Sequence, residues 1–499
     1  MAGTAEFEAL QRKLVPLWKS LSGLTDDEQT IVVVPSLTLD LSFLSGAELQ
    51  AYEERFLFML MLLRQPRAVM VYATSLAIDP VVVDYYLSLL PGVIPSHARA
   101  RLHLVSPLDG SSKPLTHKLL ARPRMLERIR GLIADPDRAH LVPFLTTEAE
   151  RDLAVALGIP MYGADPAHLH FGTKSGSRRL FAEEDVSHPA GAEDLHSLDD
   201  LVGAIRELRA RRPEVRSVIV KHDEGVTGEG NATVDVIEDV EESVHAMRFE
   251  SSTTTFDEYM AKLEADGGID EERVTGEEIR SPSVQMRVTP LGELEILSTH
   301  DQLLGGPTGQ AFLGAVFPAD PAYAIAITQE AAKVGRRLAE EGVLGRFAID
   351  FVVAREGSAW RPYALEINLR KGGTTHPFLT LQFLTDGAYD ADRAVFTAPD
   401  GQQKCFIASD HVESESYRGL TPQDLFDIAV RLGLHCEHSR QTGVVFHMLA
   451  SVGTSGRFGL TAVENSAEEA RALYDRTIEV LEHEAAGSYD GSFEGFRTM

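Results

Sequence analysis

Two neighbouring stretches in which apolar and polar residues alternate constrain the fold of this chain more than any other feature. In residues 346–353 and again in residues 363–370, every second side chain is apolar. Because side chains alternate across a strand, each stretch predicts a β-strand with one face on a core. The expected core-facing residues are Phe347, Ile349, Phe351, Val353, Tyr363, Leu365, Ile367 and Leu369. Gly357, which lies between the two stretches, predicts the turn of a β-hairpin.

The opposite face of this predicted hairpin carries charged and amide side chains. Folding brings Asp350 of the first strand beside Glu366 and Asn368 of the second. These oxygen-bearing groups suit a hard cation such as Mg2+, and Arg370 could hold a phosphate or carboxylate with two hydrogen bonds. The residues alone leave two interpretations open, a Mg2+–phosphate site or a half-exposed hairpin with solvated charges.

A second motif follows the apolar stretch 217–221. Lys221 ends that predicted strand, and the next loop contains Gly225, Gly228 and Gly230. A lysine followed by glycines suits phosphate binding, because the ammonium neutralises charge while bare backbone N–H groups approach the oxygens. The alternative is a flexible hairpin loop without a ligand.

Taken in this order, the motifs resemble the ATP-grasp superfamily of carboxylate–amine ligases, and more narrowly its pheganomycin-type peptide ligases. Residues 173–189, 299–302 and 366–376 carry the narrower resemblance, which extends over nearly the whole chain. It implies an α/β fold with a Rossmann-like pre-ATP-grasp domain at 1–170 and an ATP-grasp core at 171–399, whose two α+β subdomains clasp ATP. The core includes a nucleotide lid subdomain at about 215–290, and a small C-terminal α/β unit occupies 400–499.

This resemblance also implies an activity. The expected enzyme forms an amide or peptide bond through an acyl phosphate and releases ADP and phosphate, with ATP and Mg2+ as cofactors. The implied context is natural-product biosynthesis, with small-molecule or peptide carboxylates and amines as substrates. Two alternatives remain open, an ATP-dependent phosphotransferase of the same fold and a non-catalytic nucleotide-binding protein.

The resemblance assigns roles to individual residues. Asp350, Glu366 and Asn368 match the metal ligands of the family. The implied nucleotide-binding residues are Lys174, Lys221, Gly225, Gly228, Gly230, Glu271 and Glu278. In that set the two lysines hold phosphates, the glycines form the lid, and the glutamates match the adenine hinge and the ribose position.

The resemblance also points to an arginine that stabilises the acyl phosphate or the tetrahedral intermediate, and Arg370 is the first candidate. Some family members carry an arginine two residues before the metal aspartate, but here that position is Ala348. Arg346, Arg370 or Arg287 would then supply the missing charge.

The polar run 299–302 could line a substrate pocket. Within it, His300 or Asp301 could act on the incoming amine as a general base. A lone histidine is more often structural, so both interpretations of His300 stay open.

Charge and cysteine content limit the partners and the compartment. The chain has 499 residues and a formal net charge of −28, which should repel nucleic acid and anionic membranes. Its two cysteines, Cys405 and Cys436, cannot build a disulfide framework and fit a reducing cytoplasm. Residues 1–13 lack the apolar segment of a signal peptide, and the longest apolar run, 56–63, is too short to span a bilayer. A homodimer is common for the implied fold, which leaves it as a candidate assembly.

The N-terminal part of the chain alternates short apolar runs with helical spacing. Strands are expected at 31–36, 68–73, 102–105 and 140–144, and helices at 47–63, 114–133 and 147–157. Such alternation predicts a parallel sheet. No Gly-x-Gly-x-x-Gly opens any of these helices, so we do not expect nucleotide binding there in the manner of a dinucleotide fold.

Overall fold

The computed structural model describes residues 2–22, 28–38, 44–225, 230–236, 238–251, 254–306 and 309–486. The N-terminal elements are α1 (Ala2–Gln11), α2 (Leu14–Ser22), β1 (Gln29–Val34), α3 (Gly46–Glu54), β2 (Ala68–Ala73), α4 (Pro80–Ser88), α5 (Pro95–Arg99), β3 (Leu102–Val105), α6 (Leu115–Leu120), α7 (Pro123–Gly131), β4 (Ala139–Pro143) and α8 (Glu148–Leu157). The four strands form a parallel sheet in the order β3-β2-β1-β4, which confirms the predicted Rossmann-like sheet. Side chains from both faces of β1 are buried, as expected for a parallel sheet covered on two sides.

Two of the helices expected in this region are interrupted. The helix predicted over 47–63 ends at Glu54 and continues as a 3-10 helix, Arg55–Arg64. The helix predicted over 114–133 is divided into α6 and α7 at Pro123, because a proline disfavours the helical conformation of the residue before it.

The middle of the chain forms a small antiparallel sheet. Its elements are α9 (Lys174–Glu183), β5 (Gly191–Ala192), α10 (Leu198–Arg211), β6 (Ser217–His222), β7 (Asn231–Asp235), α11 (Val240–His245), β8 (Arg248–Phe249), α12 (Phe256–Asp266) and β9 (Gly268–Glu272). The strand order is β5-β9-β6-β7-β8. Helices α10 and α12 bury Ile205 and Leu263 in a core that the sheet shares through Val218 and Val234.

The rest of the chain builds one large sheet and a separate two-stranded sheet. Its elements are β10 (Glu278–Arg280), β11 (Pro282–Val288), β12 (Leu294–Gly305), β13 (Ala311–Phe317), α13 (Pro321–Glu340), β14 (Gly345–Glu356), β15 (Ala359–Asn368), α14 (Thr375–Thr385), β16 (Ala388–Asp390), β17 (Val395–Thr397), β18 (Cys405–Glu413), α15 (Pro422–Arg431), β19 (Gly443–His447), α16 (Val452–Ser455), β20 (Arg457–Glu464) and α17 (Ala467–Ala485). The large sheet runs β15-β14-β11-β12-β13-β18-β20-β19, and β10 pairs with β14 beside β11, whereas β16 and β17 form the two-stranded sheet. The strands of the last hundred residues therefore extend the central sheet instead of forming a separate one.

The β14–β15 hairpin has the predicted turn, with Gly357 at a φ of +62°. The register places Asp350 opposite Glu366 and Ala348 opposite Asn368. The hairpin thus brings together the polar side chains that the sequence predicts on one face.

The strict alternation predicted for residues 363–370 is wrong at one point, because β15 contains a β-bulge. The register shifts between Asp350 and Phe351, which leaves Leu365 as the extra residue of β15. Ala364 therefore lies in the core, whereas Tyr363 and Leu365 are only half-buried.

Within the described residues, no helix is long and apolar enough to cross a membrane.

Candidate active site

The polar face of the β14–β15 hairpin gathers Asp350, Glu366 and Asn368 around one point. Asn368 Nδ2 donates to Asp350 Oδ2 at 3.0 Å and to Glu366 Oε1 at 3.1 Å. Turning the Asn368 amide by half a rotation would present its oxygen to the same point, because the two amide atoms have nearly the same shape. Two carboxylates and one amide oxygen form a donor set that suits Mg2+.

The charges in this set also favour a dication. Burial and the adjacent Glu366 carboxylate raise the pKa of Asp350 well above its usual range. Burial opposes ionisation of Glu366 as well, but Lys174 and Lys221 outweigh it and lower the pKa of Glu366. Two facing carboxylates repel unless they share a proton or a cation, so a bound dication would allow both to ionise.

Lys174 reaches the hairpin from the first turn of α9. Its Nζ forms an ion pair with Glu366, and the side chain is almost fully buried. Thr173 caps the helix by accepting a hydrogen bond from Gly176 N at 2.9 Å. Ser177 Oγ accepts from Ile367 N at 3.0 Å, which fixes this helix against β15. Local capping and one helix–strand bond therefore position the lysine.

Lys221 and Glu271 come from neighbouring strands of the small sheet, β6 and β9. They form an ion pair, and both are almost fully buried. Arg178 Nη1 lies 3.9 Å from the second oxygen of Glu271. The charge of Lys221 lowers the pKa of Glu366, so this pair lies near the cluster of Asp350, Glu366 and Asn368.

The predicted lid is described only at its two ends. A Cβ added to Gly230 would lie 3.3 Å from Gly225 Cα, which shows how closely the ends of the loop approach each other. Gly228, with the rest of residues 226–229, lies outside the described residues.

Arg370 follows the end of β15, where its backbone N–H donates to Asn368 O at 2.8 Å. Its guanidinium is half-buried, and burial lowers its pKa while Glu366 and Asp350 act in the opposite direction. Among the described residues, no carboxylate lies within 4.0 Å of this guanidinium. Arg370 therefore adjoins the metal-ligand set and keeps its donors available for a ligand.

Glu278 and Arg287 are not part of this cluster. Glu278 lies opposite Arg355, where it forms ion pairs at the far end of β14. Arg355 is five residues from Asp350 on β14, which corresponds to about 16 Å at the rise of a β-strand. Arg287 pairs with Glu295 at the other end of β14, beside the N-terminal domain.

His300 is also separate from the cluster, because it is fully buried among aromatic rings. Its ring centroid lies 5.2 Å from that of Phe317 and 5.8 Å from that of Phe406. Burial lowers its pKa to about 3, and Nε2 forms a 2.8 Å hydrogen bond with Ser298 Oγ. In this position the side chain packs in the core and does not face the Glu366 cluster.

Comparison with known proteins identifies the family. L-Propargylglycine–L-glutamate ligase of Streptantibioticus cattleyicolor is 30% identical over 443 residues, which cover 86% of this chain and 88% of the relative. The family model for IQCH-like ATP-grasp matches residues 166–253 and 238–392. The chain belongs to the ATP-grasp ligases. A model for the PGM1 C-terminal domain matches residues 424–477.

Solved ATP-grasp structures share the fold of this ligase. The ADP complex of N5-carboxyaminoimidazole ribonucleotide synthetase gives a TM-score of 0.53 at 12% identity, covering 91% of this chain and 97% of that one. Biotin carboxylase of Campylobacter jejuni gives a TM-score of 0.55 at 12% identity, covering 91% of each chain. The predicted fold class is confirmed, and so is the prediction of an ATP-dependent, ADP-forming carboxylate–amine ligase.

One buried polar cluster of this ATP-grasp ligase was missed by the sequence analysis. Asp410 Oδ2 accepts from Arg55 Nη1 at 2.6 Å, while Oδ1 lies 2.8 Å from His447 Nε2 and 3.3 Å from His376 Nε2. Metal binding through both Nε2 atoms would move the His376 proton to Nδ1, which is buried and has no partner among the described residues. We therefore interpret the cluster as a hydrogen-bond network around Asp410, linking residues 355 positions apart for which no local signal exists.

Proposed function

We propose that this ligase joins the carboxylate of one amino acid or peptide to the amine of another, through an acyl phosphate. L-Propargylglycine–L-glutamate ligase, whose name contains two amino acids, aligns with 86% of this chain. The observation that carries the proposal is the convergence of Asp350, Glu366 and Asn368 beside Lys174 and Arg370. A carboxylate is a poor electrophile, so it must be activated before an amine can attack it.

In this proposal the chain's own residues bind and orient the phosphates. Asp350, Glu366 and Asn368 would hold Mg2+, and this ion would supply positive charge for phosphoryl transfer. Lys174 and Lys221 would bind phosphate oxygens. Both are already buried and paired with carboxylates, so their positions are fixed before a nucleotide binds.

Arg370 would stabilise the charge that develops on the acyl phosphate or on the tetrahedral intermediate. Its planar guanidinium can donate two parallel hydrogen bonds to a carboxylate or a phosphate. The glycine loop over residues 225–230 would close over this site and exclude water, which would otherwise hydrolyse the acyl phosphate.

The domain assignment belongs to the same proposal. Residues 1–170 form the pre-ATP-grasp domain, 171–399 the ATP-grasp core with its lid at about 215–290, and 400–499 the C-terminal unit. The two cysteines are free, which fits a cytoplasmic location. A homodimer stays a prediction.

Release of ADP that depends on two co-substrates tests this function. Amino acids would be supplied in pairs with ATP and MgCl2, and products would be identified by mass spectrometry. A ligase should release ADP only with both partners and give a product of their summed mass less water. A phosphorylated product from a single co-substrate would indicate a phosphotransferase instead.

A further inference from the structure

Three cationic side chains lie together where the N-terminal domain meets the central sheet. Arg287 of β11 and Arg346 of β14 are directly paired across the two antiparallel strands. Lys371 lies close enough for Arg346 to affect its titration, and its Nζ donates to Pro143 O at 2.6 Å. Like charges facing each other across two strands repel, so this arrangement costs stability unless an anion joins it.

The described residues supply little negative charge to this group. Glu295 is the only described carboxylate within 4.0 Å of the three cations, and it pairs with Arg287. Arg346 and Lys371 therefore remain without a carboxylate in the part of the chain that the structure describes.

A buried polar atom without a partner lies at the same place. Arg346 Nη1 has no hydrogen-bond partner among the described residues, and the buried Tyr162 hydroxyl lies beside Arg287. A buried donor without an acceptor costs about 1–3 kcal/mol, and such atoms are rare in native structures. Tyr162 is stacked on Trp18 at 5.7 Å, and the Arg287 guanidinium lies 5.2 Å from the Trp18 ring. Two aromatic rings therefore pack beside the facing arginines.

The titration behaviour of the cations agrees with this geometry. Burial, together with Arg287, lowers the pKa of Arg346 to about 10. Burial, together with Arg346, lowers the pKa of Lys371 to about 7. His140 of β4 also faces Lys371 and stays neutral at pH 7, because burial and Lys371 lower its pKa to about 4. An anion bound between them would stabilise the protonated forms, so its binding near pH 7 should be accompanied by proton uptake at Lys371.

The two facing arginines and the proposed metal ligand Asp350 lie on the same face of the sheet. Arg346 and Asp350 lie on the same face of β14, four residues or about 13 Å apart. Lys371 directly follows Arg370. A substrate that reacts beside Arg370 can therefore extend toward this group.

We propose that Arg287, Arg346, Lys371 and Tyr162 form a carboxylate pocket that binds a non-reacting carboxylate of a ligase substrate. The inference rests on the proposed function. An amino acid that reacts through its amine keeps its carboxylate, and an acidic amino acid that reacts through one carboxylate keeps another. Paired guanidinium groups match the two oxygens of such an anion.

Binding of malonate, a small dicarboxylate, tests the pocket without requiring turnover. Calorimetry would be performed at pH 7.5 with saturating ADP and MgCl2, which occupy the nucleotide site, in two buffers of different ionisation enthalpy. We expect malonate binding with proton uptake, at least tenfold weaker in Arg346→Met and about threefold weaker in Tyr162→Phe. Arg361→Met serves as the matched control, because Arg361 is exposed and pairs with Glu356. Absence of malonate binding, or equal affinity in all variants, would overturn the pocket.

Substrate analogues then identify which carboxylate is bound. In each active pair, the product identifies the carboxylate that reacts, and each remaining carboxylate would be replaced in turn by its primary amide. We expect one amide to lower kcat/KM at least tenfold in the wild type and to have no further effect in Arg346→Met. The position of that amide distinguishes the amine donor from the carboxylate donor, whereas additive losses at every position would refute the assignment. Malonate binding without ADP release in any amino-acid or peptide pair would retain the pocket and reject the proposed substrate class instead.

Discussion

Replacement of Glu366 by glutamine tests the proposed metal-ligand set most directly. The substitution keeps the shape of the side chain and can preserve the 3.1 Å contact with Asn368, but it removes one negative charge. Lys174 loses its ionic partner, and the bound dication loses one of two carboxylates. If metal-borne charge stabilisation falls by about 3–4 kcal/mol, kcat falls by about 10²–10³, since 1.36 kcal/mol corresponds to a factor of ten.

The assay is the initial rate of ADP release at saturating ATP, MgCl2 and both co-substrates. Glu356→Gln is a matched control, because Glu356 pairs with Arg361 at the solvent-exposed end of the same hairpin. We expect the control to retain the wild-type rate. Because Lys174 is almost fully buried, the loss of its ionic partner should cost about 3–5 kcal/mol of stability, so circular dichroism and thermal unfolding should first show that the variant is folded at the assay temperature. A rate within threefold of the wild type would refute the assignment of Glu366.

Four further predictions follow from the same geometry. Lys221→Ala should weaken ATP binding by about 10–100-fold in calorimetry, because a charge-assisted hydrogen bond contributes about 1.5–3 kcal/mol; unchanged affinity would place the lysine outside the site. Gly230→Ala should slow product formation and increase uncoupled ATP hydrolysis, whereas normal coupling would argue against a lid. Arg370→Ala should lower kcat more than nucleotide affinity, and Arg370→Lys should not restore the rate, because a point charge cannot replace two parallel donors; equal losses would place Arg370 on the nucleotide. In EDTA, the native state should bind more protons than the unfolded state because the pKa of Asp350 is raised, so the free energy of unfolding should fall as pH rises above about 4. Mg2+ or Asp350→Asn should reduce that slope in denaturant titrations, and an unchanged slope would contradict the assigned charge state.

The central hairpin could be predicted from sequence because its information is local. Alternation, a glycine turn and polar residues on one face specify β14 and β15, and the observed register places Asp350 opposite Glu366. The bulge at Leu365 could not be predicted, because it depends on how the ladder shifts between Asp350 and Phe351. One extra residue moved Ala364 into the core without altering the position of the metal-ligand set.

The less local features were harder to predict. The 3-10 segment Arg55–Arg64 is apolar on every side and buried throughout most of its length, so its spacing could not distinguish it from an α-helix. The ion pair between Arg55 and Asp410 joins distant parts of the chain, and neither residue has a neighbour in sequence that indicates the other. His300 belongs to the polar run 299–302, which suggests an exposed site. Its side chain is instead buried in an aromatic core.

The pairing of buried charges in this structure should lower the free-energy cost of binding substrates. Lys174 and Lys221 each pair with a carboxylate, and an unpaired buried charge would cost several kcal/mol. When phosphates and Mg2+ bind, Lys174 can exchange Glu366 for a phosphate while Glu366 turns to the cation. If Lys221 makes the same exchange, Glu271 still has Arg178 at 3.9 Å. Arg370 and Arg346 differ, because among the described residues neither has a carboxylate within 4.0 Å. A substrate carboxylate can therefore pair with either arginine without first displacing a carboxylate of the protein.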